Sequence, residues 1–274
     1  MPDALRLALG TLTAIRVPAP RRVTPSVAGR AMLLAPVVGA VLALLASAVP
    51  VLVSLVPPDR RTPVLIDLLI AAIAVAALAL LTRGLHLDGL ADTADGLGVK
   101  GLDEAVVERR LAVMRAPDVG AFGAITLVLV LLLQVTALAV CVSAGVATAA
   151  LVLAVATGRL GATWCCTAGV PSARPEGLGA TVAGTVPRLG AATVTVVVIV
   201  GAVLLGRLGG DTDPRRSVAL ASAAILGLAA GALLLRRCVA RFGGITGDVL
   251  GAVVEVTTTA TLVAVALMTG LTGV

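Results

Sequence analysis

The sequence predicts an all-α, polytopic integral membrane protein, because of its composition and its long uncharged stretches. Of its 274 residues, 59% are hydrophobic and 13% are charged, and the mean hydropathy is +1.10. Soluble domains carry about 25% charged residues, so this chain has too little polar surface for one. Residues 119–158 contain no charged side chain, and one membrane span needs about 20 apolar residues. This single stretch therefore predicts two spans.

Apolar stretches of similar length recur along the chain and predict a helical bundle of seven transmembrane helices. The expected spans are 33–56, 63–83, 119–142, 146–167, 189–206, 217–235 and 249–270. The apolar segment 4–16 is too short to cross a bilayer, so we expect it to form a short interfacial helix. The sequence contains no internal repeat and no low-complexity linker, which favours a single membrane-embedded domain, 1–274.

The basic residues predict the orientation of these spans. Sixteen Lys and Arg residues lie in the N-terminal segment and in or beside the second, fourth and sixth connections, against five on the other side. Basic residues concentrate on the cytoplasmic side of membrane proteins, which places the N-terminus inside and the C-terminus outside. Most acidic residues lie on the same cytoplasmic side. We therefore expect a multi-pass protein of the cell membrane with its active site or ligand mouth on the cytoplasmic face.

The densest polar motif, LHLDGLADTADGLG, is predicted at the cytoplasmic end of the second span. At about 100° per residue, Asp88, Asp92 and Asp95 share an arc of about 60° on a helix. Three carboxylates so arranged repel one another, and a divalent cation such as Mg²⁺ removes that penalty. The alternative is a solvated helix end. His86 lies on another face of this helix. It is expected to be a metal ligand, a group that contacts the substrate, or a side chain at the membrane interface.

Two other cytoplasmic segments contain candidate phosphate ligands. Arg110 and Arg115 belong to a predicted amphipathic helix over 101–115, where they would contact either substrate phosphates or lipid headgroups. Arg174 and Glu176 belong to a turn-rich loop, which is either a substrate clamp or an ordinary connection.

The entrance to the last span contains a third set of candidates. Thr246 or Asp248 is expected to cap the helix, and Asp248 shares a helix face with Glu255. An acidic residue within a span is a functional candidate, and a hydrogen bond between packed helices is the alternative for Glu255.

Five motifs together resemble those of the cobalamin synthase family, the adenosylcobinamide-GDP ribazoletransferases. They are LTAIRVPAP, LHLDGLADTADGLG, RRLAVMRAPDVGAFG, ARPEGLG and GGITGDVLGAVVE, in that order. One departure is visible, since family members often carry an acid directly after the Met-Lys or Met-Arg pair. Here Ala116 and Pro117 intervene before Asp118, which leaves the role of Asp118 open.

The resemblance implies a membrane enzyme that joins α-ribazole, or its 5′-phosphate, to adenosylcobinamide-GDP. The products would be adenosylcobalamin, or its 5′-phosphate, and GMP, and Mg²⁺ dependence is expected. The expected partners are these substrates and membrane lipids, with no nucleic acid, and a homo-oligomer is left open.

The mechanistic hypothesis is a direct displacement at phosphorus by the ribazole hydroxyl. Asp88 and Asp92 would hold Mg²⁺, while Asp95 completes the metal shell or accepts the hydroxyl proton. Arg110, Arg115 and Arg174 would contact the phosphates, and the two later loops would line the mouth of the site.

Two rival functions use the same acids. The acidic triplet also resembles, more loosely, that of CDP-alcohol phosphotransferases, which suggests a membrane transferase acting on a lipid alcohol. The other rival is a cation-binding transporter, although the acids cluster at one face instead of following a path through the spans.

Overall fold

The structure, a computed structural model, describes residues 1–54, 63–101, 103, 105–207 and 214–272. These residues form helices, with two isolated bridges between loops. The helices are α1 (Asp3–Leu12), α2 (Pro25–Ala46), α3 (Ala48–Ser54), α4 (Pro63–Leu81), α5 (Leu85–Gly98), α6 (Val106–Val113), α7 (Ala121–Ser143), α8 (Ala147–Cys165), α9 (Gly177–Val182), α10 (Arg188–Leu205), α11 (Pro214–Phe242) and α12 (Gly247–Thr272). The predicted all-α class is confirmed.

Within the described residues, seven segments are long and apolar enough to cross a membrane, as the sequence predicts. They are Pro25–Leu52, Val64–Leu81, Ala121–Ser143, Ala147–Cys165, Arg188–Leu205, Pro214–Phe242 and Gly247–Thr269. The first begins well before the predicted residue 33, and the sixth continues past the predicted residue 235. Exposed Arg30, Arg236 and Arg237 lie inside these helices. The predicted spans were too short there because a charged residue ends an apolar run without ending the helix.

Two helices form the centre of the bundle. In the spans of α8 and α12, 78% and 83% of the residues are buried, against 11% in α10. α12 packs against α5, α7, α8 and α11. The helix that carries Asp248 and Glu255 therefore has protein on most of its sides, and its N-terminal end contacts the acidic helix α5.

The sequence suggested that the acidic motif forms the cytoplasmic end of the second span. In the structure the motif forms a helix of its own, α5, which is separate from that span. Arg83 and Gly84 have φ values of 55° and 68°, and the Gly84 amide donates to the Ala79 carbonyl at 2.8 Å. This left-handed ending closes α4, and α5 begins at Leu85 as a separate helix. The break allows α5 to lie against α7 and α12.

The two predicted short helices are present and are shorter than predicted. The N-terminal helix covers Asp3–Leu12, which starts one residue before the predicted 4–16 and ends four residues earlier, and it packs on α2. The amphipathic helix covers Val106–Val113 within the predicted 101–115 and packs on α5. Its contact with α5 places α6 beside the acidic motif.

Candidate active site

The helices α5 and α12 touch at a glycine next to the first acidic residues. A Cβ atom on Gly89 would lie 2.7 Å from the backbone oxygen of Asp248 and 2.8 Å from its Cα. Such distances are too short for any side chain, so glycine is what permits this approach. The contact brings the carboxylates of Asp88 and Asp92 on α5 close to that of Asp248 on α12.

The electrostatics of Asp92 reflect this crowding. Burial raises the pKa of the Asp92 carboxyl most, and the negative charges of Asp248, Asp88 and Asp95 raise it further, to about 6, while Arg174 opposes them. Among the charged neighbours, Asp248 raises the pKa of Asp92 more than the two acids of the same helix do. The structure therefore assembles an acidic cluster from two helices, with Asp88 exposed and Asp92 half-buried.

The carboxylate of the third acid of the motif, Asp95, binds the N-terminus of α7. Asp95 is buried, and its two carboxylate oxygens accept hydrogen bonds from the backbone amides of Gly120, at 2.8 Å, and Gly123, at 2.9 Å. These amides belong to the N-terminus of α7, where a negative charge is stabilised by the helix dipole. Asp95 thus joins α5 to α7 through contacts that occupy both of its oxygens.

Replacing Asp95 by Asn is expected to destabilise the protein. The amide side chain turns a donor toward a backbone N–H and removes the charge at the helix end, so the free energy of unfolding should fall by about 1–3 kcal/mol. Thermal unfolding in detergent measures the loss. The matched control is Asp88→Asn, which is exposed and should unfold like the wild type. Equal stability of the Asp95 and Asp88 variants would contradict the assignment.

A basic side chain faces the acidic cluster from a neighbouring loop. Arg174 Nη1 lies 3.8 Å from Asp248 Oδ2, and Arg174 Nη2 donates to the Leu111 carbonyl at 2.9 Å. The same guanidinium therefore contacts α12 and the end of α6. It is only partly exposed, and its positive charge lowers the pKa of the Asp92 carboxyl.

The two later motifs form one wall of the site. The Ala173 amide donates to the Ile245 carbonyl at 2.9 Å, and the Ile245 amide donates to the Pro171 carbonyl at 2.9 Å. Thr246 caps α12 by accepting from the Val249 amide at 3.2 Å, as one of the predicted alternatives proposed. These bonds hold the loop of Arg174 against the start of α12.

Three of the predicted phosphate and mouth residues differ in their exposure. Arg115 and Glu176 are exposed. Arg110 is buried, and its Nε and Nη1 donate to the carbonyls of Val99, at 3.3 Å, and Arg241, at 3.2 Å. The Arg110 guanidinium thus ties α6 to the end of α5 and to α11, a structural position that the sequence did not indicate.

Glu255 lies deeper in the bundle than the acidic cluster. It accepts a hydrogen bond at 2.7 Å from Gln134 Nε2 of α7, which also donates to Thr259 at 3.0 Å. This is the packing hydrogen bond that the sequence left as the alternative. Glu255 is two helical turns, about 10 Å, beyond Asp248, so the structure does not bring it to the acidic cluster.

His86 lines a cavity that adjoins the cluster. The cavity has a volume of about 170 Å³ and is lined by Thr11, Leu12, Met32, Leu85, His86, Asp88, Ala162, Leu178, Gly247, Asp248, Leu250, Gly251 and Val254. The imidazole is buried, and among the described residues its Nδ1 has no hydrogen-bond partner. Burial and the nearby Arg159 charge hold the pKa of His86 well below its ordinary value, so the ring is neutral at pH 7.

The cluster suits a cation that shares its ligands with a substrate. Among the described residues, no three His, Cys, Asp or Glu side chains stand in an arrangement that would hold a metal ion by themselves. Mg²⁺ commonly takes one or two carboxylates together with substrate phosphates and water. Asp88 and Asp92, one turn apart, provide such a pair. Next to burial, repulsion by the neighbouring carboxylates raises the pKa of the Asp92 carboxyl, and a cation would relieve that repulsion.

Three features of the site escaped the sequence. They are the close approach at Gly89, the bonds of Asp95 to α7, and the pairing of Arg174 with Asp248. Only the second left a local signal, because the two glycines 120 and 123 open an uncharged span that has no capping residue of its own. The other two depend on how distant segments pack, α5 against α12 and the loop of Arg174 against the start of α12.

Comparison with known proteins gives one consistent family. The family model described as cobalamin-5-phosphate synthase matches residues 4–266. The adenosylcobinamide-GDP ribazoletransferase of Frankia casuarinae is 45% identical over 269 residues, which cover 96% of this chain and 94% of the relative. The enzymes of the same name from Nocardioides sp. and Stutzerimonas stutzeri are 42% and 39% identical, covering 96% and 97% of this chain and 98% of each relative. No solved structure matches the chain significantly.

Proposed function

The chain belongs to the cobalamin-5-phosphate synthase family, and from this premise we propose that it is an adenosylcobinamide-GDP ribazoletransferase. It would transfer the cobinamide phosphate of adenosylcobinamide-GDP to α-ribazole, or to its 5′-phosphate, and release GMP. The observation that carries this proposal is the acidic cluster of Asp88, Asp92 and Asp248 facing Arg174. Carboxylates for a cation and a guanidinium for phosphate are the groups that a pyrophosphate substrate requires.

The reaction we infer is a displacement at the phosphorus attached to cobinamide. The ribazole hydroxyl oxygen forms a bond to this phosphorus, and the bond from the phosphorus to the bridging oxygen breaks. GMP leaves with the bridging oxygen, and the hydroxyl proton passes to a carboxylate. Because both oxygens of Asp95 accept backbone amides, we assign the proton to Asp248, which is half-buried and lines the adjoining cavity.

Asp88 and Asp92 would hold Mg²⁺ against the pyrophosphate. When bound, the ion neutralises negative charge on the phosphates and on the departing GMP. Arg174 would add a positive charge from the opposite side, where it already lies beside Asp248. Its contact with the Leu111 carbonyl fixes the direction of the guanidinium before substrate binds.

The decisive experiment measures GMP release from the purified protein in detergent. GMP should appear only when adenosylcobinamide-GDP, α-ribazole and Mg²⁺ are all present. Release of a nucleoside monophosphate with a lipid alcohol in place of α-ribazole would favour the rival transferase. No release with either acceptor would overturn the proposal.

We further propose that the acidic cluster faces the cytoplasm, since the basic residues predict an N-terminus inside and a C-terminus outside. A reporter protein that is active only in the cytoplasm should therefore be inactive when fused after Val274. The same reporter fused before Met1 is the matched control and should be active. An active C-terminal fusion would contradict the proposed orientation.

A further inference from the structure

The cavity beside the acidic cluster is large enough for part of a substrate. Its volume is about 170 Å³. A single water molecule needs only about 10–15 Å³, so the cavity can hold a much larger group. Its walls come from α1, α2, α5, α8, α9 and α12, so it lies within the fold and is not a crevice of one loop.

The lining divides into an apolar body and a polar edge. Side chains such as Leu12, Met32 and Leu250 provide most of the surface, which is largely hydrocarbon. Asp88 and Asp248 line the same space and belong to the acidic cluster. A ligand that fills this cavity would therefore bury an apolar part and keep a polar part beside the reacting phosphate.

A buried group on the wall needs a hydrogen-bond partner. His86 is 6% exposed, and within the described part of the chain its Nδ1 makes no hydrogen bond. A buried polar atom without a partner is unfavourable. A ligand in the cavity whose ring nitrogen came within reach of this imidazole would supply a partner, while the rest of its ring stays against the apolar lining.

We infer that this cavity binds the aromatic base of the acceptor nucleoside, an inference that rests on the proposed function. The benzimidazole ring of α-ribazole is flat and apolar, and it keeps one free ring nitrogen after the ribose is attached. The two bases of adenosylcobinamide-GDP, guanine and the adenine of its adenosyl group, carry amino groups and several ring nitrogens that this lining would leave unpaired. A corrinoid ring is too large for a cavity of this volume.

The placement also explains how the acceptor is oriented. With the base in the cavity, the attached ribose extends toward the edge formed by Asp88 and Asp248. A hydroxyl of that ribose then lies between the proposed cation ligands and the proposed proton acceptor. Fixing a nucleophile in this way is a large part of what an enzyme contributes to a two-substrate reaction.

Another cavity of the described chain, larger than the first, lacks these properties. It has a volume of about 400 Å³ and lies among α8, α10, α11 and α12, with Trp164 and Leu235 in its wall. None of its lining residues is acidic or basic. It therefore serves as the matched control for changes in volume.

The test is the variant Leu178→Trp, which places an indole against the first cavity from the half-buried surface of α9. Binding of α-ribazole alone, measured by calorimetry on the detergent-solubilised protein, should weaken at least about tenfold. The KM for α-ribazole should rise by a similar factor, while the KM for adenosylcobinamide-GDP should stay unchanged. Leu235→Trp, in the other cavity, should alter neither value.

A substrate series tests the same inference without a variant. On the unmodified protein, the nucleoside of a smaller or more polar base, imidazole or a purine, should bind more weakly than α-ribazole. Unchanged α-ribazole binding in Leu178→Trp, or equal affinity across the series, would overturn the inference even if GMP release occurs. Absence of GMP release with normal α-ribazole binding would instead overturn the proposed reaction.

Discussion

Replacing Asp92 by Asn is expected to lower the rate of GMP release by about 100-fold or more at saturating substrates, the loss typical of removing one electrostatic contact in a site. Asn has the size of Asp but provides no negative charge. The Mg²⁺ concentration that gives half-maximal rate should therefore rise. Burial raises the pKa of the Asp92 carboxyl most and the neighbouring carboxylates raise it further, so a negative charge at this position is unfavourable and a cation would stabilise it.

The control for this variant is Glu108→Gln, which neutralises an exposed carboxylate on the neighbouring helix α6. It should show normal turnover and a normal Mg²⁺ requirement. Unfolding temperatures of both variants should match the wild type, because removing one of several repelling charges costs no folding free energy. Full turnover of Asp92→Asn at limiting Mg²⁺ would show that the cation binds elsewhere.

The sequence predicted most of the fold because the bilayer imposes a simple rule on it. A helix must cover about 30 Å of hydrocarbon, so uncharged stretches such as 119–158 reveal the spans directly. The ends of the helices were harder to predict, since α2 and α11 continue past the charged residues Arg30 and Arg236. The second span was predicted to end at residue 83, close to the observed Leu81. The separation of α5 from this span was missed, because Arg83 adopts a left-handed conformation that is rare outside glycine.

The candidate site was predicted in part. The helical spacing of Asp88 and Asp92 was sufficient to place them together, because both lie on α5. The same spacing also predicted Asp95 with them, but tertiary contacts direct that carboxylate to Gly120 and Gly123. Local periodicity gives the face of a helix and not the partner that each side chain meets.

The contribution of α12 required the three-dimensional arrangement. Asp248 is far from Asp92 in sequence, and the sequence predicted that the loop of Asp248 lines the mouth of the same site, but not that the two carboxylates are neighbours. Their proximity depends on the contact at Gly89, where the two helices touch backbone to backbone. A residue without a side chain carries no chemical signal, so its importance is visible only from what surrounds it.

Replacing Gly89 by Ala should therefore be as damaging as losing a charged residue. The added Cβ would lie 2.7 Å from the Asp248 carbonyl oxygen, a backbone atom that cannot rotate away. α5 and α12 must separate, which moves Asp88 and Asp92 away from Asp248. A displacement of about 1 Å in a site costs on the order of 100-fold in rate, and GMP release should fall by about that factor.

Gly96→Ala in the same helix is the matched control. Both substitutions favour the helical state by about 1 kcal/mol, and at Gly96 the added Cβ would also lie 2.7 Å from its nearest neighbour. The close neighbours there are side-chain atoms, Cγ and Sδ of Met114 and, at 3.3 Å, Cε1 of Phe242, which can shift without moving the backbone of a packed helix. Turnover of Gly96→Ala should therefore stay close to that of the wild type. If both variants lost activity equally, crowding at any point of α5 would explain the result, and the contact between Gly89 and Asp248 would have no special role.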